Sequence, residues 1–113
     1  MKRVDVHSID EWLSYYNGEH PVLTFKHSTR CSISSMAWQR LGRGWDAANP
    51  IAVLYVDLIA HRDVSNAISD YTGVPHASPQ MILSRSGEVL GHASHMEIRA
   101  DLIPNWLEKW SVM

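Results

Sequence analysis

The run Ile51-Ala52-Val53-Leu54-Tyr55-Val56-Asp57, opened by Pro50, is apolar at almost every position. Pro50 and Asp57 bracket it too tightly for a buried helix, which needs ten or more residues. The pattern therefore predicts a strand buried on both faces, as in the middle of a parallel sheet. A sheet of that kind needs helices above and below it, and a parallel neighbour can be reached only through a crossover connection.

The flanking segments supply those pieces. Ser8 and Glu11 have capping-box spacing, with Ile9, Trp12, Leu13 and Tyr16 following at helical intervals and Asn17-Gly18 as a stop. Trp12 and Tyr16 read as core residues. His20-Pro21 leads into Val22-Leu23-Thr24-Phe25-Lys26, a short strand. A helix begins near Ser32 and carries Ile33, Met36 and Ala37, with Gly42 and Gly44 ending it and Trp45 packing in the connection. Asp63 is placed to cap a helix over Val64, Ala67, Ile68 and Tyr71 that stops at Gly73. Gln80 to Ser84 and Glu88 to His92 read as a hairpin around Arg85-Ser86-Gly87, where Gly87 supplies a positive φ. A final helix spans roughly Ile98 to Trp110, and Pro104 suits it best if the helix proper starts near Ala100 or Leu102. The order α-β-α-β-α-β-β-α implies an α/β fold with a central mixed four-stranded sheet and helices on both faces. With no repeat or linker, residues 1–113 read as one domain.

Charge and composition exclude several functions. Ten Lys and Arg against twelve Asp and Glu leave no basic footprint for nucleic acid. No apolar stretch is long enough for a membrane span and no secretory signal is visible, so the expected location is the cytoplasm. The glycines after the second helix follow it rather than precede it, which argues against a phosphate cradle. Seven histidines, His76, His92 and His95 among them, show no metal-ligand spacing, so no metal is expected.

One cysteine, Cys31, excludes an internal disulfide and leaves a single thiol. It follows a strand and the polar loop His27-Ser28-Thr29-Arg30, and it precedes a helix. Unsatisfied backbone N–H groups at a helix N-terminus favour a thiolate, and cysteines so placed can act as nucleophiles. Three positions on stands Ser34, so Cys31-Ser32-Ile33-Ser34 has dithiol spacing without the resolving thiol. Thiol–disulfide exchange would then need an external resolver. Ser34 could offer its hydroxyl to the sulfur, and His27 is a candidate base or charge partner. Ser78-Pro79 lies just before a strand, where either a cis or a trans bond is compatible with the sequence.

Taken together, Phe25-Lys26-His27-Ser28-Thr29-Arg30-Cys31-Ser32-Ile33-Ser34, Tyr55-Val56-Asp57 and Ser78-Pro79-Gln80 resemble the YtxJ family (DUF2847-type), the monothiol bacilliredoxins of type C in the thioredoxin-like superfamily. The resemblance runs from about Ser8 to Leu107. It implies a thioredoxin-like fold with Pro79 as a cis-proline facing Cys31, and a thiol-disulfide oxidoreductase that removes bacillithiol from mixed disulfides on client proteins. Cys31 would be the nucleophile, Ser78 and Pro79 the opposing wall of the substrate groove, and Gln80 the start of the strand behind it. Bacillithiol, a glucosamine–malate–cysteine thiol, would be co-substrate, with no bound cofactor. Two positions depart from the family pattern: Ser32 stands where proline is usual, and Arg30 where threonine is usual. Ser32 adds an N–H near the sulfur, and Arg30 could pair with a malate carboxylate. The competing readings are a non-catalytic thioredoxin-like adaptor, a cysteine that accepts another low-molecular-weight thiol, and a reductase that borrows a partner protein's thiol. Asp57 reads as a strand-end cap.

Overall fold

The computed structural model describes residues 1–112, with side chains described through Glu108. It contains strands β1 (Lys2–Asp5), β2 (Val22–His27), β3 (Ala52–Asp57), β4 (Gln80–Arg85) and β5 (Glu88–Ser94), and helices α1 (Ile9–Tyr16), α2 (Ser32–Gly44), α3 (Arg62–Thr72) and α4 (Leu102–Val112). The strands form one mixed sheet in the order β1-β3-β2-β4-β5. β3 runs parallel to both β1 and β2, while β4 is antiparallel to β2 and to β5.

The expected sheet had four strands, and the fifth is β1. It escapes a sequence reading because its burial pattern is almost wholly exposed and it includes two cations. It is held at the edge by its pairing with β3, from Lys2 opposite Ala52 to Asp5 opposite Tyr55. Charged side chains and short length are what an edge strand needs to avoid pairing with other chains.

Side chains alternate across the sheet with the period of two that strands impose. Leu23, Phe25, Val53, Met81 and Leu83 pack on one face with Ala37 and Leu41 of α2 and Ile103 of α4. Val22, Leu54, Val56 and Ile82 pack on the other with Trp12 and Tyr16 of α1 and Val64 and Ile68 of α3. Trp12 stacks on Tyr16, and its indole N–H donates to Thr24 Oγ1 at 3.0 Å, so the buried ring leaves no orphan donor.

Most of the local signals act as expected. Ser8 Oγ accepts from Glu11 N–H, although Glu11 reaches back to His7 N–H rather than to that of Ser8. Gly73 ends α3 in the left-handed region, and the β4–β5 turn has positive φ at both Ser86 and Gly87, the sign pattern of a type I′ hairpin. Asp63 does not cap α3: it lies inside the first turn, and His61 is the cap residue without a side-chain bond. The turn leading into α3 is held instead by Asp57, whose Oδ1 accepts from Ile59 and Ala60 N–H, as a strand-end cap should. The last helix starts at Leu102, not Ile98, after a 3₁₀ turn at His95–Glu97. Pro104 then falls in the first turn, where its missing N–H would have no helical partner.

Gly91 of β5 lies directly under the Trp106 indole of α4. A Cβ at this position would overlap ring atoms that are themselves packed against the core. Gly91→Ala is expected to cost about 1–3 kcal/mol, read as a lower midpoint in urea with an unchanged slope. An unchanged midpoint would mean that α4 shifts freely.

Candidate functional site

All six residues of β2 are buried, and its polar C-terminal end builds the site. The period of two sends Lys26 to the α1/α3 face and His27 to the α2 face. After His27 the chain turns tightly: Cys31 N–H donates to Ser28 O at 3.1 Å, and Cys31 is the N-cap of α2 with extended φ of −112°. Its carbonyl accepts the first helical bond, from Ser35. The thiol is free and half-buried. Thr29, Arg30 and Ser32 around it are exposed, as are Ile33 and Met36 farther along α2.

Ser34 and His27 meet, and they meet each other rather than the sulfur. Ser34 is fully buried, its Oγ accepts from Ser28 N–H at 3.0 Å, and it lies 2.7 Å from His27 Nδ1. Burial holds the His27 pKa below its ordinary value; Asp57 opposes this and Arg3 reinforces it. The neutral ring can therefore accept at Nδ1, and the assignment that also places the hydroxyl proton has Ser34 donating to it. The hydroxyl at the position of a resolving thiol thus pins the loop ahead of Cys31 to α2.

Lys26 and Gln80 are direct partners across β2 and β4. That antiparallel register brings the Pro79 end of β4 to the His27 end of β2. The Ser78–Pro79 bond is cis, and Pro79 is buried. Pro79 O accepts from His95 N–H, while Arg40 of α2 donates to His95 O and Ile98 O. The cysteine helix and the cis-proline loop are therefore braced together through one arginine. Gln80 is 2% exposed, and its amide donates to Pro75 O, so its side chain supports the loop from behind. Among the described residues, Ser78 Oγ and Gln80 Oε1 are buried without a hydrogen-bond partner.

Lys26, with His27 and Arg30 one of the residues ahead of Cys31 that by sequence could add positive potential to the thiol, points into the α1/α3 layer. It is fully buried, donates to Ser69 Oγ at 2.9 Å and meets His76 Nδ1 at 3.2 Å. Burial lowers its pKa from 10.5 to about 8. The His76 pKa is also lowered, by burial first and then by Lys26 and Arg62. A cation inside the apolar strand pattern was the available signal; its partners lie on α3 and in the loop after it. Among the described residues, no three His, Cys, Asp or Glu side chains gather as a metal site, and no helix is long and apolar enough to cross a membrane.

A family profile described as Monothiol bacilliredoxin BrxC matches residues 5–103. The chain is similar to a solved structure described as a candidate oxidoreductase with a thioredoxin fold, at 25% identity and a TM-score of 0.83, with 93% of each chain covered. It is also similar to thioredoxin from Trypanosoma brucei brucei (17% identity, TM-score 0.73, 99% of this chain and 93% of that one). A third similar structure is the thioredoxin of Malassezia sympodialis (16% identity, TM-score 0.68, 96% and 90% covered). The fold is the thioredoxin fold.

Ser34→Ala would strand the Ser28 N–H and remove the partner of His27 Nδ1. A loss of about 1–3 kcal/mol in chemical denaturation is expected, and no loss would show that water replaces the hydroxyl. For Lys26, the folded state binds fewer protons than the unfolded state between about pH 8 and pH 10.5, so this group adds stability as pH rises through that window. Against Lys26→Met, wild type should gain about 3 kcal/mol across it at 1.36 kcal/mol per unit. A difference that stays flat from pH 7 to 11 would contradict a buried, depressed lysine.

Proposed function

Because the chain belongs to the monothiol bacilliredoxin family and carries thiol-redox chemistry on a thioredoxin fold, we propose that it removes bacillithiol from cytoplasmic proteins through Cys31. The observation that carries this reading is a lone, partly accessible cysteine capping α2, with a serine committed to His27 where a resolving thiol would stand.

The Cys31 thiolate attacks the bacillithiol sulfur of a client mixed disulfide. A Cys31–bacillithiol disulfide forms as the bond to the client sulfur breaks, and the electron pair leaves on the client thiolate, which is protonated from water. A free bacillithiol thiolate then attacks the bacillithiol sulfur held on Cys31. Bacillithiol disulfide departs and the Cys31 thiolate is restored. Ser34 cannot intercept the mixed disulfide, so the second step depends on an outside thiol. The cis Ser78–Pro79 segment offers backbone groups to the bound disulfide, and the exposed Arg30 is available to a malate carboxylate.

The test follows intact masses in a mixture of the protein with a bacillithiolated client. Wild type should acquire the bacillithiol adduct and lose it on addition of free bacillithiol, whereas Cys31→Ser should acquire none. Absence of transfer to a wild-type thiol that still reacts with an alkylating probe would favour the adaptor reading or another small thiol.

A further inference from the structure

A cleft of 290 Å³ opens at the same sheet edge as the cysteine, on the side away from the cis-proline. Its floor is made by the C-terminal ends of the parallel strands β1 and β3, through Arg3, Tyr55 and Asp57. Open α/β sheets place ligands outside the carboxyl ends of parallel strands. Asp57 is the register partner of His27, and Leu58 N–H donates to His27 O, so this floor adjoins the strand that leads to Cys31. One wall is Thr29, two residues before Cys31 and within about 7 Å of it along the chain.

The chemistry of the walls is mixed. The Arg3 guanidinium is held by Asp5 at 2.6 Å and sits 3.9 Å from the centroid of the Tyr55 ring, so it is oriented while 45% of the side chain stays exposed. His7 and His61 form the opposite rim, their rings edge to face at 5.4 Å. Asp5, paired with Arg3, and Asp57 contribute carboxylates and Tyr55 a phenol. Such a cleft suits a small molecule that carries anionic oxygens together with hydroxyl or ammonium groups, and it offers little to an apolar peptide.

We propose that this cleft binds the sulfur-free end of the small thiol exchanged at Cys31, with one carboxylate toward Arg3 and the imidazoles and its hydroxyl or amino groups toward Asp57. The inference rests on the bacillithiol reading above and deepens it. It also separates the two substrates: the small thiol lies on the β1/β3 side, and the client lies toward the cis-proline.

The test has two arms. In the first, ¹⁵N-labelled protein is titrated with glucosaminyl malate, which lacks the cysteine and cannot react. Shifts should centre on Arg3, His7, Tyr55 and His61 and weaken about tenfold in affinity in Arg3→Gln and in His61→Asn. Shifts centred instead on the 390 Å³ cleft at His92, Met96 and Arg99, or none at all, would overturn the proposal. In the second, release of the Cys31 adduct is timed with bacillithiol and with free cysteine. The preference for bacillithiol should fall about tenfold in both variants, and an unchanged preference would overturn the proposal. If wild type accepts no bacillithiol while the titration still maps to this cleft, the function reading fails and the binding site stands.

Discussion

Everything at the reactive end follows from the complete burial of β2. A strand flanked on both edges and covered on both faces can end in polar residues only if each finds a partner in the protein, since an unpaired buried donor or charge costs several kcal/mol. Lys26 and His27 are those residues, and alternation sends them to opposite layers. On one side Ser69 and His76 receive the ammonium; on the other, Ser34 receives the imidazole. Satisfying two buried side chains thereby fixes the start of α2 and ties β2 to the loop ahead of Pro79. The cysteine sits where these constraints converge, on a loop that has little freedom of its own.

The ammonium is the expensive member of the pair. Desolvation lowers its pKa to about 8, so near neutral pH the protein still carries a buried charge, held by Ser69 Oγ and His76 Nδ1. A hydrocarbon side chain would pack there at lower cost. What the lysine does supply is direction. It binds Ser69 of α3 and His76 of the segment before the cis bond, and it faces Gln80, whose amide holds Pro75 O. Arg40 performs the same bracing on the α2 face through His95 and Ile98. Two cations from two layers thus brace the cis-proline segment, Lys26 directly at His76 and Arg40 through His95, whose N–H donates to Pro79 O.

What could be read in advance was what depends on neighbours in sequence. The β3 run, the Ser8 cap, the helix stop at Gly73, the positive φ at Gly87 and the placing of Cys31 between strand and helix all rest on patterns a few residues long. β1 was hidden because its order comes from pairing with β3, some fifty positions away, and not from any hydrophobic pattern of its own. Ser34 stands at the position of a second thiol in the sequence, yet the direction of its hydroxyl depends on which face of β2 His27 occupies. The Lys26 cluster joins positions 43 and 50 residues apart, and the Arg3 cleft joins an edge strand to the loop beside the cysteine. Neither has a local signature.

The loss of a second thiol has a structural consequence beyond chemistry. A dithiol enzyme can resolve its mixed disulfide from within, so it needs only one recognition surface, for the client. On the mechanism proposed above, Cys31 meets three sulfurs in succession, those of the client, of the small thiol it carries and of the small thiol that releases it. Exchange proceeds by attack of one sulfur on another with departure of a third, so the carried molecule must be held clear of both the client's exit path and the second thiol's approach. With α2 behind the cysteine and the cis-proline loop on one flank, the proposed placement rests that bulk on the β1/β3 edge. β1 is therefore more than a filler at the sheet margin: it supplies the arginine and the aspartate that give that edge its charge.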